Sequence, residues 1–117
     1  DDMDERLVIR GYGPGEVAVG RHNYTRSLLV TPDGVVPEWG PTRVEEITAR
    51  PLLDILAYRP ELLILGTGEQ QAFPSPRLFT DLVDARVGYE VMDTAAACRT
   101  YNILLSEGRR VVAALLL

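Results

Sequence analysis

The stretch GYEVMDTAAACRTYNILLSEGRRVVAALLL, Gly88–Leu117, decides the fold. Tyr89–Met92 reads as a strand and Asp93 or Thr94 as the cap of a helix, whose inner face is Ala97, Tyr101, Leu104 and Leu105. Gly108 stops that helix, and Arg110–Leu116 is a final strand. Upstream, Leu62–Leu65 is apolar without alternation, the mark of a strand covered on both faces. Ser75-Pro76 supplies an N-cap and a first helical residue. It predicts a helix over Pro76–Ala85, with Leu78, Phe79, Leu82 and Val83 inward and Arg77, Asp81 and Asp84 toward water. The succession is βαβαβ. Crossovers of this length make the strands parallel and are right-handed in about 98% of cases. The loop Gly66-Thr67-Gly68 and the turn Asp93-Thr94 therefore open on one edge of the sheet, where open α/β sheets bind ligands.

The first half of the chain reads as strands. Leu7–Ile9 predicts a strand closed by a turn through Gly11, Gly13, Pro14 and Gly15, and Val17 and Val19 alternate in a second strand ending at Gly20. Arg21–Arg26, polar and containing His22 and Tyr24, reads as a loop or an irregular edge. Ser27–Thr31 and Val35–Trp39 form a hairpin about Pro32-Asp33-Gly34, and Pro37 marks its second arm as an edge strand. Thr42 and Glu45 have capping-box spacing ahead of Val44 and Ile47, and Pro51 opens a second helical set, Leu52, Ile55 and Leu56, that Pro60 ends. One interrupted helix or two short ones fit this segment. The expectation is one compact three-layer α/β domain over residues 1–117: a mixed sheet with a βαβαβ C-terminal half and an N-terminal β-hairpin region.

Composition removes several function classes. With 117 residues, 46% hydrophobic, the chain is large enough to bury a core. A net charge of −5 without a basic stripe argues against nucleic acid. All 12 basic residues are arginine, so Schiff-base and Walker-type lysine chemistry is excluded. One cysteine and one histidine permit neither an internal disulfide nor a Cys/His zinc site, so no metal or cofactor is expected. The longest apolar run, Val111–Leu117, is too short to span a bilayer.

No complete catalytic motif is present. GTGEQQ lacks the third glycine of a dinucleotide fingerprint and reads as a tight turn. The candidate ligand-binding residues are instead Gly66, Thr67, Gly68, Asp93, Thr94, Arg99 and Asn102. Here a helix N-terminus and an arginine one turn in would meet an anion beside the glycine loop. Against this, Asp93 and Thr94 are accounted for by helix capping alone, worth about 1 kcal/mol. Cys98 is a small buried hydrophobe before it is a reactive thiol, since His22, the one histidine, lies in a distant segment. Glu69 is a carboxylate without a placed partner, and Trp39 is a core lid or a partner contact.

Taken together, LLILGTG, the Ser75-Pro76 helix and GYEVMDTAAACRTYNILLSEGRRVVAALL resemble a family of small α/β domains, mostly of unknown function, that includes the mitochondrial assembly factor three of respiratory complex I. The positions that carry the resemblance are Gly66, Thr67, Gly68, Asp93, Thr94, Cys98, Arg99, Thr100 and Asn102. The resemblance implies a three-layer fold and no established enzymatic activity. It implies a binding or assembly domain that acts through a protein partner; a cytoplasmic location is expected besides, with a homodimer compatible. The competing expectation is a small-molecule or anion site, or an enzyme, at the Gly66–Gly68 loop and the Ala95 helix start.

Overall fold

Two central strands, Leu62–Gly66 and Val111–Leu115, are buried throughout, and alternation along them builds two cores at once. Leu62, Ile64, Val111, Ala113 and Leu115 enter one core, and Leu63, Leu65, Val112 and Ala114 enter the other. Burying such a Leu or Val contributes about 1.5–3 kcal/mol, which is why this segment tolerates no polar residue.

The computed structural model describes residues 7–117. The chain runs β1 (Ile9–Gly13), β2 (Glu16–Val19), β3 (His22–Tyr24), β4 (Leu28–Thr31), β5 (Gly34–Val36), α1 (Ala49–Asp54), β6 (Leu62–Gly66), α2 (Thr80–Asp84), β7 (Gly88–Met92), α3 (Thr94–Ser106) and β8 (Val111–Leu115). Strands β1-β2-β3 form an antiparallel sheet, and a second sheet has the order β5-β4-β8-β6-β7. Within the second, β4 is antiparallel to β5 and β8, whereas β6 is parallel to β7 and β8. Helix α3 and the small sheet cover one face, and α1 and α2 cover the other. The chain leaves β6 toward the α2 layer and leaves β7 toward the α3 layer. The C-terminal ends of these neighbouring strands are thus a topological switch point.

The predicted layers, the βαβαβ half and the hairpin are present, but the hairpin's edge arm is Gly34–Val36 rather than Val35–Trp39, and Pro37 lies beyond it. Other local readings also differ. The first strand is Ile9–Gly13, not Leu7–Ile9, because Gly11 and Gly13 pair with Ala18 and Glu16 and only Pro14-Gly15, with Gly15 at φ 72°, makes the turn. Of the two readings of Arg21–Arg26, a loop or an edge, the edge holds: His22–Tyr24 is a strand paired to β2. The Glu46 carboxylate, not Glu45, accepts from the Thr42 N–H and hydroxyl, at 2.8 and 2.9 Å. The turn it closes is one 3-10 turn, Val44–Glu46, in which i,i+4 replaces capping-box spacing. Val83 is exposed rather than inward: Pro76–Phe79 is 3-10, and its tighter winding rotates the following turn so that Phe79 and Leu82 take the core.

Candidate functional site

The two loops flagged by the sequence share a rim. Gly68 donates its N–H to Thr94 Oγ1 at 2.8 Å, and Thr94 returns its own N–H to the Gly68 carbonyl at 2.9 Å. The same hydroxyl donates to the Leu116 carbonyl at 2.7 Å. One threonine thus ties the β6 loop, the start of α3 and the end of β8. Gly66 makes this possible by lacking a side chain: a Cβ there would stand 2.9 Å from Thr94 Oγ1, 3.0 Å from Thr94 Cα and 3.1 Å from Ala97 Cβ. Gly68, at φ 103°, holds a backbone shape that a side chain would strain.

The other candidates are placed around this latch. Thr67 donates its N–H to the Met92 carbonyl at 2.9 Å, and its hydroxyl donates to the Gln70 carbonyl and accepts from the Ala72 N–H. Asp93 caps α3, its Oδ1 accepting from the Ala96 N–H at 2.8 Å. Asn102 clips β1 to α3: Oδ1 accepts from the Ile9 N–H at 2.9 Å and Nδ2 donates to the Ile9 carbonyl at 2.8 Å. Arg99 is solvent-exposed and donates to the Tyr12 hydroxyl at 3.1 Å, with its guanidinium 6.0 Å from the centre of that ring. Gly66–Gly68 and Asp93–Thr94 are brought together; Arg99 and Asn102 face the β1–β2 hairpin.

Cys98 is fully buried and burial pushes its thiol up to about 12, against a weaker opposing effect of Arg99. A desolvated thiolate is disfavoured, so the group stays protonated and inert. Iodoacetamide at pH 8 is expected to label the native protein orders of magnitude more slowly than free cysteine, with labelling tracking denaturant-induced opening. Rapid native labelling would contradict this. Because the folded value lies above the ordinary one, the contribution of Cys98 to stability is intact below pH about 9 and is lost progressively toward about 12.

Beside the latch lies a cleft of about 340 Å³, walled by Tyr12, Pro14, Gly68, Thr94, Ala95 and Leu116 among others. Tyr12 and Pro14 were not singled out from the sequence; the signal was GYGPG, an aromatic set in a glycine-rich turn. Glu69 also lines the cleft, and the Asp93 carboxylate already sits on the positive end of α3. An anion entering here meets the Glu69 carboxylate, while the guanidinium of the motif is engaged with Tyr12. Among the described residues no group of three or more His, Cys, Asp or Glu is arranged to hold a metal, and no helix is long and apolar enough to cross a membrane.

Residues 9–116 match the family model described as "Protein of unknown function (DUF498/DUF598)". The chain belongs to this family. It is 40% identical over 110 residues to an uncharacterized protein of Rhodobacter capsulatus, covering 94% of this chain and 84% of that one. It is 35% identical over 117 residues to NADH dehydrogenase [ubiquinone] 1 alpha subcomplex assembly factor 3 of Xenopus tropicalis, covering 98% of this chain and 63% of that relative's length. A crystal structure of a Bordetella parapertussis protein superposes with a TM-score of 0.87 at 41% identity, covering 93% of each chain. The resemblance read from the GTG loop and the DTAAACRTYN helix start is thereby borne out at the level of the family.

Proposed function

We propose that this DUF498/DUF598 domain is a non-enzymatic, assembly-factor-like binding protein that takes hold of a protein partner at the cleft beside the Thr94 latch. The observation that carries this reading is how the motif side chains are used. Thr67, Asp93, Thr94 and Asn102 direct polar atoms to backbone groups of this same chain, and the cleft, of which Thr94 alone among them is a wall, is lined mainly by apolar surface, aromatic Tyr12 and backbone, with Glu69 as its one charged side chain. A concave apolar surface with few polar groups suits insertion of a partner's side chains better than turnover of a small polar substrate. The names of the eukaryotic relatives, assembly factors of NADH dehydrogenase, support the finer reading, a part in assembling a respiratory complex.

Capture of the tagged protein from its native cell, beside an Ala95→Trp variant that fills the cleft, tests this. The wild type is expected to retain a reproducible protein partner and the variant to lose it, with both showing the same melting temperature. Thermal shift against anionic metabolites is expected to find no hit; a ligand at 100 times its Kd would add about 2.7 kcal/mol. A hit abolished by Arg99→Ala, with no partner captured, would replace the partner-binding reading by a metabolite site.

A further inference from the structure

Strand β7 ends the five-stranded sheet, with β6 on one side and, among the described residues, no strand on the other. Its two outermost inward bonds are set: Gly88 donates its N–H to the Glu61 carbonyl and Met92 accepts from the Thr67 N–H. In a parallel ladder alternate residues turn both backbone groups to the same neighbour, so Gly88, Glu90 and Met92 face β6 and Tyr89 and Val91 face outward. With β6 the one strand paired to β7 among the described residues, the Tyr89 N–H, the Tyr89 carbonyl and the Val91 N–H meet no backbone partner. The Val91 carbonyl accepts from the Gln71 side-chain amide at 3.3 Å, a long and exposed contact. Gln71 stands in for one bond of a missing strand. Two residues on in the chain, Phe73 is 77% exposed, an uncovered aromatic surface.

We infer that β7 is a docking edge for an extended segment of a partner protein, which joins the sheet as a further strand and places a lysine or arginine abreast of Glu90 with apolar residues on either side of it. The side chains along β7 define that segment. Glu90 is exposed on the α3 side, whereas Tyr89 and Val91 pack toward the α2 layer, Tyr89 stacked on Phe79 with ring centres 4.0 Å apart. A residue opposite Glu90 meets a carboxylate, and its two neighbours on the other face extend the Tyr89–Val91 apolar strip. A second copy of this chain is the poorer occupant. Antiparallel self-pairing that uses both outward residues sets Glu90 against Glu90, a like-charge pair directly opposite, and other registers run off the ends of a five-residue strand. Main-chain bonds would supply affinity and the Glu90 pairing specificity.

This inference rests on the reading of the protein as a partner-binding domain, but on a surface separate from the cleft. Selection of displayed random dodecapeptides against the intact chain tests it, followed by amide hydrogen exchange with the best peptide. The expected winners carry an apolar–basic–apolar triplet and slow exchange at Tyr89 and Val91 by at least about tenfold. Glu90→Lys is expected to weaken them about five- to tenfold, Gln71→Ala to strengthen them by freeing the Val91 carbonyl, and Ala95→Trp to leave them unchanged. Tyr89 and Val91 amides already protected in the free monomer, no enrichment, or winners indifferent to Glu90→Lys would each overturn the proposal. So would a dimer by light scattering that protects those two amides, which would make a second copy the occupant. If Ala95→Trp abolishes native partner capture while no peptide is selected, the edge fails and the cleft reading stands.

Discussion

Replacing Thr94 by valine is expected to lower the free energy of unfolding by about 2–3 kcal/mol, roughly 8–12 °C in melting temperature for a domain of this size. Valine keeps the shape of threonine, so packing changes little and the loss isolates the hydroxyl. That hydroxyl accepts from Gly68 at 2.8 Å and donates to the Leu116 carbonyl at 2.7 Å. Leu116 is buried, so its carbonyl, left without a donor, is cut off from water and carries most of the cost. Thr94→Ser, which keeps both bonds and loses a methyl group, is expected to cost about 1 kcal/mol. Urea unfolding of the three proteins checks the order. Equal stability of the valine and wild-type chains would remove the latch from the account.

Gly66→Ala is expected to be at least as damaging, about 3 kcal/mol, for the opposite reason: an atom is added where none fits. The new methyl would lie 2.9 Å from Thr94 Oγ1 and 3.0 Å from Thr94 Cα. The second contact is to backbone at the first turn of α3, so relief requires the helix start to move away from β6, which stretches the Thr94 bonds as well. The two substitutions act on one junction and are expected to be non-additive: the double variant should lose less than the sum of the singles. Gly13→Ala offers a control, since a Cβ there meets nothing nearer than 3.8 Å. A Gly66→Ala chain as stable as that control would show that the junction is loosely packed.

The parts of the fold carried by periodicity were legible. Uninterrupted apolar strands at Leu62–Leu65 and Val111–Leu115, and the spacing of Ala97, Tyr101, Leu104 and Leu105, permit one arrangement of layers. What escaped the sequence lacks such a signal. A polar edge strand such as His22–Tyr24 has little to bury, so the sequence leaves it open between loop and edge, and a 3-10 turn at Pro76–Phe79 shifts the phase on which Val83 was read. At the candidate site, βαβ topology was enough to bring Gly66–Gly68 to Asp93–Thr94. It did not reveal that Gly66 answers to close approach rather than to a turn, nor that Tyr12 from the first hairpin would wall the cleft. Both depend on contacts between segments distant in sequence. Asn102 is the same case: its spacing from Arg99 placed it on a helix face, and only tertiary structure brings Ile9 against it.

The claim on which the site depends is that one hydroxyl joins the β6 loop to α3 and β8. Amide exchange at Gly68, followed in the wild type and in Thr94→Val under identical conditions, tests it most directly. The account predicts a protected Gly68 amide in the wild type and exchange faster by at least about tenfold in the variant, beyond its global destabilisation. A Gly68 amide that exchanges freely in the wild type, or at the same rate in both chains once global stability is matched, would contradict it.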